Sequence, residues 1–305
     1  MQQITVLIPC LNEELTVGNV VKDFKRELPS AKIIVYDNGS TDRTVQKALA
    51  AGAEVRHCFK KGKGNAVKQM FEEIESDIYI IVDGDDTYDA KSVHKLLKPV
   101  RSHEADMVVA TRMNGFQKEE KKLLHNLGNR IILWQMRFCF PTRITDLLSG
   151  YRVMNREVVK SLNLLSSGFT IETEMTIKAL ENGLKIKEIP CPYRKRPAGS
   201  KSKLSSFTDG WTILTQVLSL FRDYRPMQFF LIFSIISFSV SVGFGINVLF
   251  EYARFHTIHR YGSMIFGLFF LLLTILFIMM GFIGSSIHAS KIEMLNLMQN
   301  IRRRL

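Results

Sequence analysis

Asp83, Gly84 and Asp85 put two carboxylates two residues apart, directly after the apolar run 78–82. Carboxylates so spaced at the end of a buried strand suit a hard cation that prefers oxygen ligands, Mg²⁺ or Mn²⁺, which would bridge them to a diphosphate. Taken alone, the same triplet reads equally well as a solvated turn or a helix cap. Three further short segments carry polar groups after apolar runs. The first runs from Pro9 through Asn12 to Glu13. The second opens on Asp37 and Asn38 and closes on Asp42. The third is Lys60, Lys61, Gly62, Lys63 and Gly64. Acidic groups that recur after separate strands point to one shared site.

The elements that must position these groups alternate in type. Residues 4–8, 32–37, 55–59, 78–82 and 107–111 are short, β-branched runs that predict strands. Between them, 13–28, 42–51, 63–74 and 92–102 carry helical spacing, as at Val17, Val20, Val21 and Phe24. Strands alternating with helices predict an α/β fold with a mostly parallel, Rossmann-like sheet covered on both faces. Ligands of such sheets bind beyond the carboxyl ends of the strands, where the polar segments fall. Neither a Gly-x-Gly-x-x-Gly turn nor a Walker loop occurs, which weakens dinucleotide and P-loop readings.

Together with Asp146, Ser149, Gly150 and Arg152 of a later run, these motifs resemble the GT-A glycosyltransferases of family 2. Within that family the chain resembles the dolichyl/polyprenyl-phosphate sugar synthases, the dolichyl-phosphate mannosyltransferase-like members, over about residues 3–226. The resemblance implies a UDP- or GDP-sugar donor, a divalent metal (Mg²⁺ or Mn²⁺) and inversion at the sugar C1. It implies that Pro9, Asn12, Glu13, Asp37, Asp42, Lys63 and Asp83 hold the nucleotide-sugar. Asp83 and Asp85 would hold the metal, and with Arg112 they make up the catalytic set. Two positions depart from the pattern. Asn38 stands where the common motif has a second Asp, and Thr87 stands where some relatives have Gln.

The acceptor is read from basic residues. Arginine recognises phosphate through a two-pronged fork, and lysine as a point charge. Arg112 follows the fifth strand, Arg143 and Ser149 flank the 146–152 run, and Arg196, Lys201 and Lys203 lie in a basic loop. The resemblance implies that Arg112, Arg143, Ser149, Arg196 and Lys203 hold a lipid phosphate, polyprenyl or dolichyl phosphate. Each arginine is also open to a salt-bridge reading, and Arg152 to a structural one. A phosphate monoester arrives largely ionised, its second pKa lying near 6, so no general base is required. Were the acceptor a hydroxyl, Asp86, Glu172 or Glu174 would be the bases to consider.

The C-terminal third is different. Residues 227–250 hold no charge in 24 positions, and 262–290 hold only His288 as a titratable group in 29. Each run is long enough to cross a bilayer as a helix. Arg254 and Arg260 lie in the connector, against Arg222, Arg225, Lys291, Arg302, Arg303 and Arg304 outside it. That bias places the N-terminal domain and the tail in the cytoplasm. Cys10, Cys58, Cys139 and Cys191 form no CxxC pair, which excludes a disulfide scaffold and agrees with a reducing compartment. The start has no basic segment of the kind that opens a secretory signal.

The organisation expected is a GT-A domain over 1–205, an interfacial amphipathic helix over 206–226, two transmembrane helices within 227–290 (about 227–250 and 262–288) and a basic cytoplasmic tail over 291–305. Residues 123–140 and 207–224, with Trp134 and Trp211, read as interfacial helices or as ordinary packing on the sheet. The net charge of +12 and the seven basic residues against one acidic over 185–203 read as attraction to anionic lipid headgroups rather than to nucleic acid. Gly243 and Gly245 are available for helix packing or a homo-oligomer. The other readings weighed are a membrane-anchored transferase to a hydroxyl, a processive polysaccharide synthase, whose Gln-x-x-Arg-Trp motif and further spans are missing, and a catalytically silent nucleotide-binding scaffold.

Overall fold

A computed structural model describes residues 2–112, 144–164, 168, 171–197, 215, 218–219 and 221–304. Arg143, Lys201, Lys203, Trp134, Trp211 and the expected helix over 123–140 lie outside the described residues. The chain forms two compact units, Met1–Gly210 and Trp211–Leu305.

In the first unit β1 (Ile4–Cys10), β2 (Lys32–Asp37), β3 (Glu54–His57), β4 (Ile78–Ile81), β5 (Met107–Arg112), β6 (Arg152–Asn155) and β7 (Ile186–Cys191) form one sheet. Its order is β3-β2-β1-β4-β6-β5-β7. Only β6 runs antiparallel to its neighbours. The helices are α1 (Val17–Glu27), α2 (Thr44–Ala50), α3 (Lys63–Glu73), α4 (Val93–Arg101), α5 (Arg156–Ser161) and α6 (Ile171–Glu181). Strand alternation divides the core into two layers. Val6, Ile8, Ile33, Val35, Ile78 and Ile80 pack on one face with Val17, Val21 and Phe24 of α1 and with α4. Leu7, Ile34, Tyr36, Tyr79 and Ile81 pack on the other with Val67 and Met70 of α3, Val158 of α5 and Met175 of α6.

The five expected strands and four expected helices are present, within a few residues of the expected limits. The helix expected from Glu13 starts at Val17, because Asn12 takes φ +51° and residues 13–16 form a turn fastened to neighbouring loops. β6 and β7 extend the sheet past β4.

The second unit holds α7 (Pro226–Phe255) and α8 (Tyr261–Arg304). Pro226–Phe255 and Tyr261–Met294 are long and apolar enough to cross a membrane. Their large side chains face outward, Phe250, Leu272 and Phe282 among them, as lipid-facing helices require and buried core helices do not. α7 runs on to Phe255, so the connector is shorter than expected, and α8 continues unbroken through the basic tail. The two helices meet through small residues. Ser237 Oγ donates to Phe270 O and Ser241 Oγ to Gly267 O, both at 2.8 Å. Gly243 and Gly245, expected to be available for packing, face open space, with nothing within 4 Å of a built Cβ. Gly267, Gly281 and Gly284 make close approaches, Gly267 against Phe244, Ser241 O and the backbone N of Gly245.

Candidate active site

The loops after β1, β2, β3 and β4 gather at the carboxyl edge of the sheet, and side chains stitch them together. Asn12 N–H donates to Ser40 Oγ (2.9 Å), and Asn12 Oδ1 accepts from Thr41 N–H (2.8 Å). Glu13 N–H donates to Thr44 Oγ1 (2.7 Å). Thr16 Oγ1 donates to the carbonyl of Gly84 (2.7 Å), which ties the first loop to the fourth. Pro9 remains within β1, paired in register with Tyr36.

Asp37 is buried and accepts the backbone N–H groups of Gly39 and Ser40, an Asx turn that shapes the loop after β2. Asp42 accepts from the hydroxyl of Thr44, from Thr44 N–H (2.9 Å) and from Glu14 N–H (3.2 Å). Desolvation pushes its pKa up, but these donors outweigh it and hold the carboxyl below the ordinary range. Asn38 accounts for the first departure from the family pattern. Its Nδ2 donates to Lys60 O (2.9 Å) and its Oδ1 accepts from Gly62 N–H (2.6 Å). An amide does both, and a carboxylate has no proton to donate.

Lys63, at the first turn of α3, places Nζ 2.6 Å from Asp83 Oδ1 and 2.5 Å from Glu172 Oε1 of α6. Burial opposes its charge, but attraction to Asp83 and Glu172 wins and raises its pKa. The Glu172 side chain is 5% exposed, and its Oε2 is buried with no hydrogen-bond partner among the described residues. The Asp83 carboxylate rests on Gly150, where a Cβ would lie 2.2 Å from Oδ2.

Asp85 is deeper. Its Oδ1 accepts from Thr87 Oγ1 (2.6 Å) and Thr87 N–H (3.2 Å), and its Oδ2 lies 2.6 Å from Nη2 of Arg196. Thr87, the second departure, thus orients Asp85. Arg196 arrives because the chain after β7 runs back along the fourth loop: Tyr193 bridges Tyr88, Arg194 N–H donates to Thr87 O (2.7 Å), and the Arg194 side chain pairs with Asp89.

Arg112, at the end of β5, is held by a two-pronged pair with Asp146 (2.8 and 2.7 Å) and stands 5.7 Å over the Tyr193 ring. Burial works against its charge, and Asp146 more than offsets it, so its pKa is raised. Ser149 is fully buried, and its hydroxyl donates to Ala110 O (2.5 Å) while meeting Tyr88 OH. Arg152 is also fully buried. It donates to Leu147 O, Ser149 O and Thr176 Oγ1, which is a structural position. Of the acids considered as bases, Asp86 faces Asn19 and Asp23 of α1, and burial with Asp23 raises its pKa. Glu174 pairs with Lys178.

The structure therefore pairs Lys63 with Asp83 and Arg196 with Asp85 after β4, and adds to the first pair Glu172, which the sequence singled out only as a conditional base. Among the described residues no group of three or more His, Cys, Asp or Glu is placed so as to hold a metal ion. Two carboxylates at which cations already stand fit a hard divalent ion that draws its other ligands from phosphate and water.

Residues 5–162 match the family model for glycosyl transferase family 2. The chain is similar to glycosyltransferase AglJ of Haloferax volcanii, 33% identical over 250 residues and 82% of each chain. It is similar to a dolichyl-phosphate hexose transferase of the same organism, 26% identical over 222 residues, 73% of this chain and 95% of the other. Glucosyl-3-phosphoglycerate synthase from Mycobacterium tuberculosis, solved in complex with Mn²⁺ and UDP-glucose, has the same fold. Its TM-score is 0.59 at 23% identity, over 72% of this chain and 78% of that one.

Proposed function

This chain belongs to glycosyl transferase family 2, and from that footing we propose that it moves a hexose or N-acetylhexosamine from a UDP- or GDP-sugar to polyprenyl or dolichyl phosphate at the cytoplasmic membrane face. It is a glycosyltransferase similar to the dolichyl-phosphate sugar transferases, with a GT-A-type sheet and a candidate transmembrane helix pair. The product would be a lipid phosphosugar, with the anomeric centre inverted.

The observation that carries the reading is the run Glu172–Lys63–Asp83 beside Asp85–Arg196, at the strand ends where this fold class binds ligands. Asp83 and Asp85 would hold Mg²⁺ or Mn²⁺, which neutralises charge on the departing diphosphate. The solved structural neighbour carries Mn²⁺ with UDP-glucose. Lys63 would meet the same diphosphate. Pro9, Asn12, Glu13, Asp37 and Asp42 form or brace the loops that would enclose the nucleoside. The unpartnered Oε2 of Glu172 suits a hydroxyl or amide N–H of the transferred sugar, because a buried carboxylate oxygen without a donor is costly.

Arg112 and Arg196 would take the acceptor phosphate, with Arg143 and Lys203 adding charge. Ser149 would act from beneath by fixing the turn at Gly150. A phosphate oxygen attacks C1 as the C1–O bond to the diphosphate breaks, and the electron pair leaves with the β-phosphate. No residue has to remove a proton from an acceptor that is already ionised.

The test is to incubate the purified full chain with polyprenyl phosphate, Mn²⁺ or Mg²⁺, and a panel of UDP- and GDP-sugars. Lipids are read by mass spectrometry. One sugar added from one donor, abolished by EDTA, is the expected result. Free nucleotide without glycolipid would replace the acceptor with water or a hydroxyl, and no turnover with any donor would support the silent scaffold.

A further inference from the structure

Both carboxylate oxygens of Asp85 are engaged. Thr87 donates to Oδ1, and the Arg196 guanidinium takes Oδ2 at 2.6 Å. The Asp85 side chain is 4% exposed and that of Arg196 is 32% exposed. Tyr193 and Arg194 are fastened to Tyr88, Thr87 and Asp89, so the backbone that delivers Arg196 is anchored two residues away. The Arg196 side chain is partly exposed while its guanidinium holds the buried carboxylate. A cation on Asp85 Oδ2 and Arg196 on the same atom repel each other and compete for it.

We infer that Arg196 is a counter-ion built into the cation position, and that its release from Asp85 couples divalent-cation binding to acceptor-phosphate binding. This rests on the proposal that Asp83 and Asp85 take the metal. With the site empty, Arg196 neutralises a buried carboxylate that would otherwise stand uncompensated. A divalent ion on Asp85 displaces the guanidinium, which then presents its fork to a phosphate. An anion that draws Arg196 away leaves Asp85 open to the cation. Linkage makes the effect reciprocal: each ligand raises the affinity for the other by the same factor, in a range of about 5- to 150-fold.

The experiment uses the full chain in detergent, with Mn²⁺ as the probe and calorimetry or the paramagnetic signal of free Mn²⁺ as the readout. Mn²⁺ is titrated alone, with a short isoprenyl phosphate, and with inorganic phosphate. Wild-type protein is expected to bind Mn²⁺ at least about fivefold more tightly with a phosphate present. Equal effects from the two anions assign the coupling to the phosphate group, and a larger effect from the isoprenyl form assigns it to the lipid; both fit the inference. Arg196→Gln is expected to bind Mn²⁺ more tightly than wild type without phosphate, and to lose the coupling. Unchanged Mn²⁺ affinity in Arg196→Gln, or coupling that survives in it, would overturn the inference. Asp85→Asn separates the two levels: if wild type and Asp85→Asn bind Mn²⁺ alike, the metal assignment itself fails. Melting curves of both variants that overlay wild type exclude misfolding as the cause.

Discussion

Gly150 gives the carboxylate of Asp83 its resting place: a methyl group at position 150 would lie 2.2 Å from Oδ2 and 2.6 Å from Cγ. The loop that enters β6 thus approaches the end of β4 as closely as backbone allows. The Asp83 side chain is 25% exposed, so it has room to swing away.

Gly150→Ala is therefore expected to remove activity while leaving the fold. Loss of about 100-fold or more in kcat/KM is the scale for displacing one charge-stabilising group. Gly84→Ala is its counterpart. There the added Cβ would lie 2.5 Å from Cys10 Sγ and 3.4 Å from Ile8 Cγ2, both buried, so stability should fall by about 1–3 kcal/mol. Urea unfolding beside activity assays checks both. A Gly150→Ala protein with wild-type activity would remove the role assigned to this contact.

Lys63→Met is expected to weaken nucleotide-sugar affinity at least about tenfold and to cost stability up to about 3–5 kcal/mol, because Asp83 and Glu172 lose their shared cation. The pH dependence has a definite sign. Attraction to the two carboxylates raises the Lys63 pKa above the ordinary lysine value in the folded state. A raised base contributes in full below its unfolded pKa, and its contribution is lost only as pH climbs through the folded one. Donor affinity measured from about pH 6 to pH 9 should thus show no lysine titration. A fall in affinity across that window that Lys63→Met abolishes would contradict the charge network.

The sheet to β5 was legible because each strand is a short β-branched run closed by polar residues, and each helix repeats its apolar face. β6 and β7 were not. β6 is four residues long and opens on Arg152. β7 carries Lys187, Glu188 and Pro190, as an exposed edge strand does, and shows no apolar run. The site divides in the same way. Asp83 and Asp85 stand out because they are neighbours in sequence. The Asp85–Arg196 pair joins positions 111 residues apart, and Glu172 reaches Lys63 only because α6 packs beside α3. No local pattern encodes either contact.

Asn38→Asp restores the residue common in the family pattern, yet it is expected to harm this protein. The new carboxylate would face Lys60 O, a position where Asn38 now donates a proton. An unmade bond at such a carbonyl costs about 1–3 kcal/mol. The loop that presents Lys63 should loosen as well, since Asn38 also receives Gly62 N–H. A lower melting midpoint and a raised donor KM are the expected pair of results. A more stable or more active Asn38→Asp protein would mean that the amide bridge is incidental.

Arg152 tests whether a basic residue in the acceptor run is a ligand or a brace. Its guanidinium is fully buried and binds Ser149 O (3.0 Å), Leu147 O (3.0 Å) and Thr176 Oγ1 (2.8 Å). Burial lowers its pKa, and no open face remains for a phosphate. Arg152→Met keeps the volume and strands two carbonyls, each worth about 1–3 kcal/mol when left unpaired. The variant should unfold at lower urea, with acceptor KM unchanged in the fraction that stays folded. Arg112→Met should do the reverse. Its side chain is 32% exposed, beside Tyr193, so acceptor KM should rise at least about tenfold with a smaller loss of stability, in proportion to a charge-assisted contact of about 1.5–3 kcal/mol. If Arg152→Met raised the acceptor KM without destabilising the fold, the two roles would have to be exchanged.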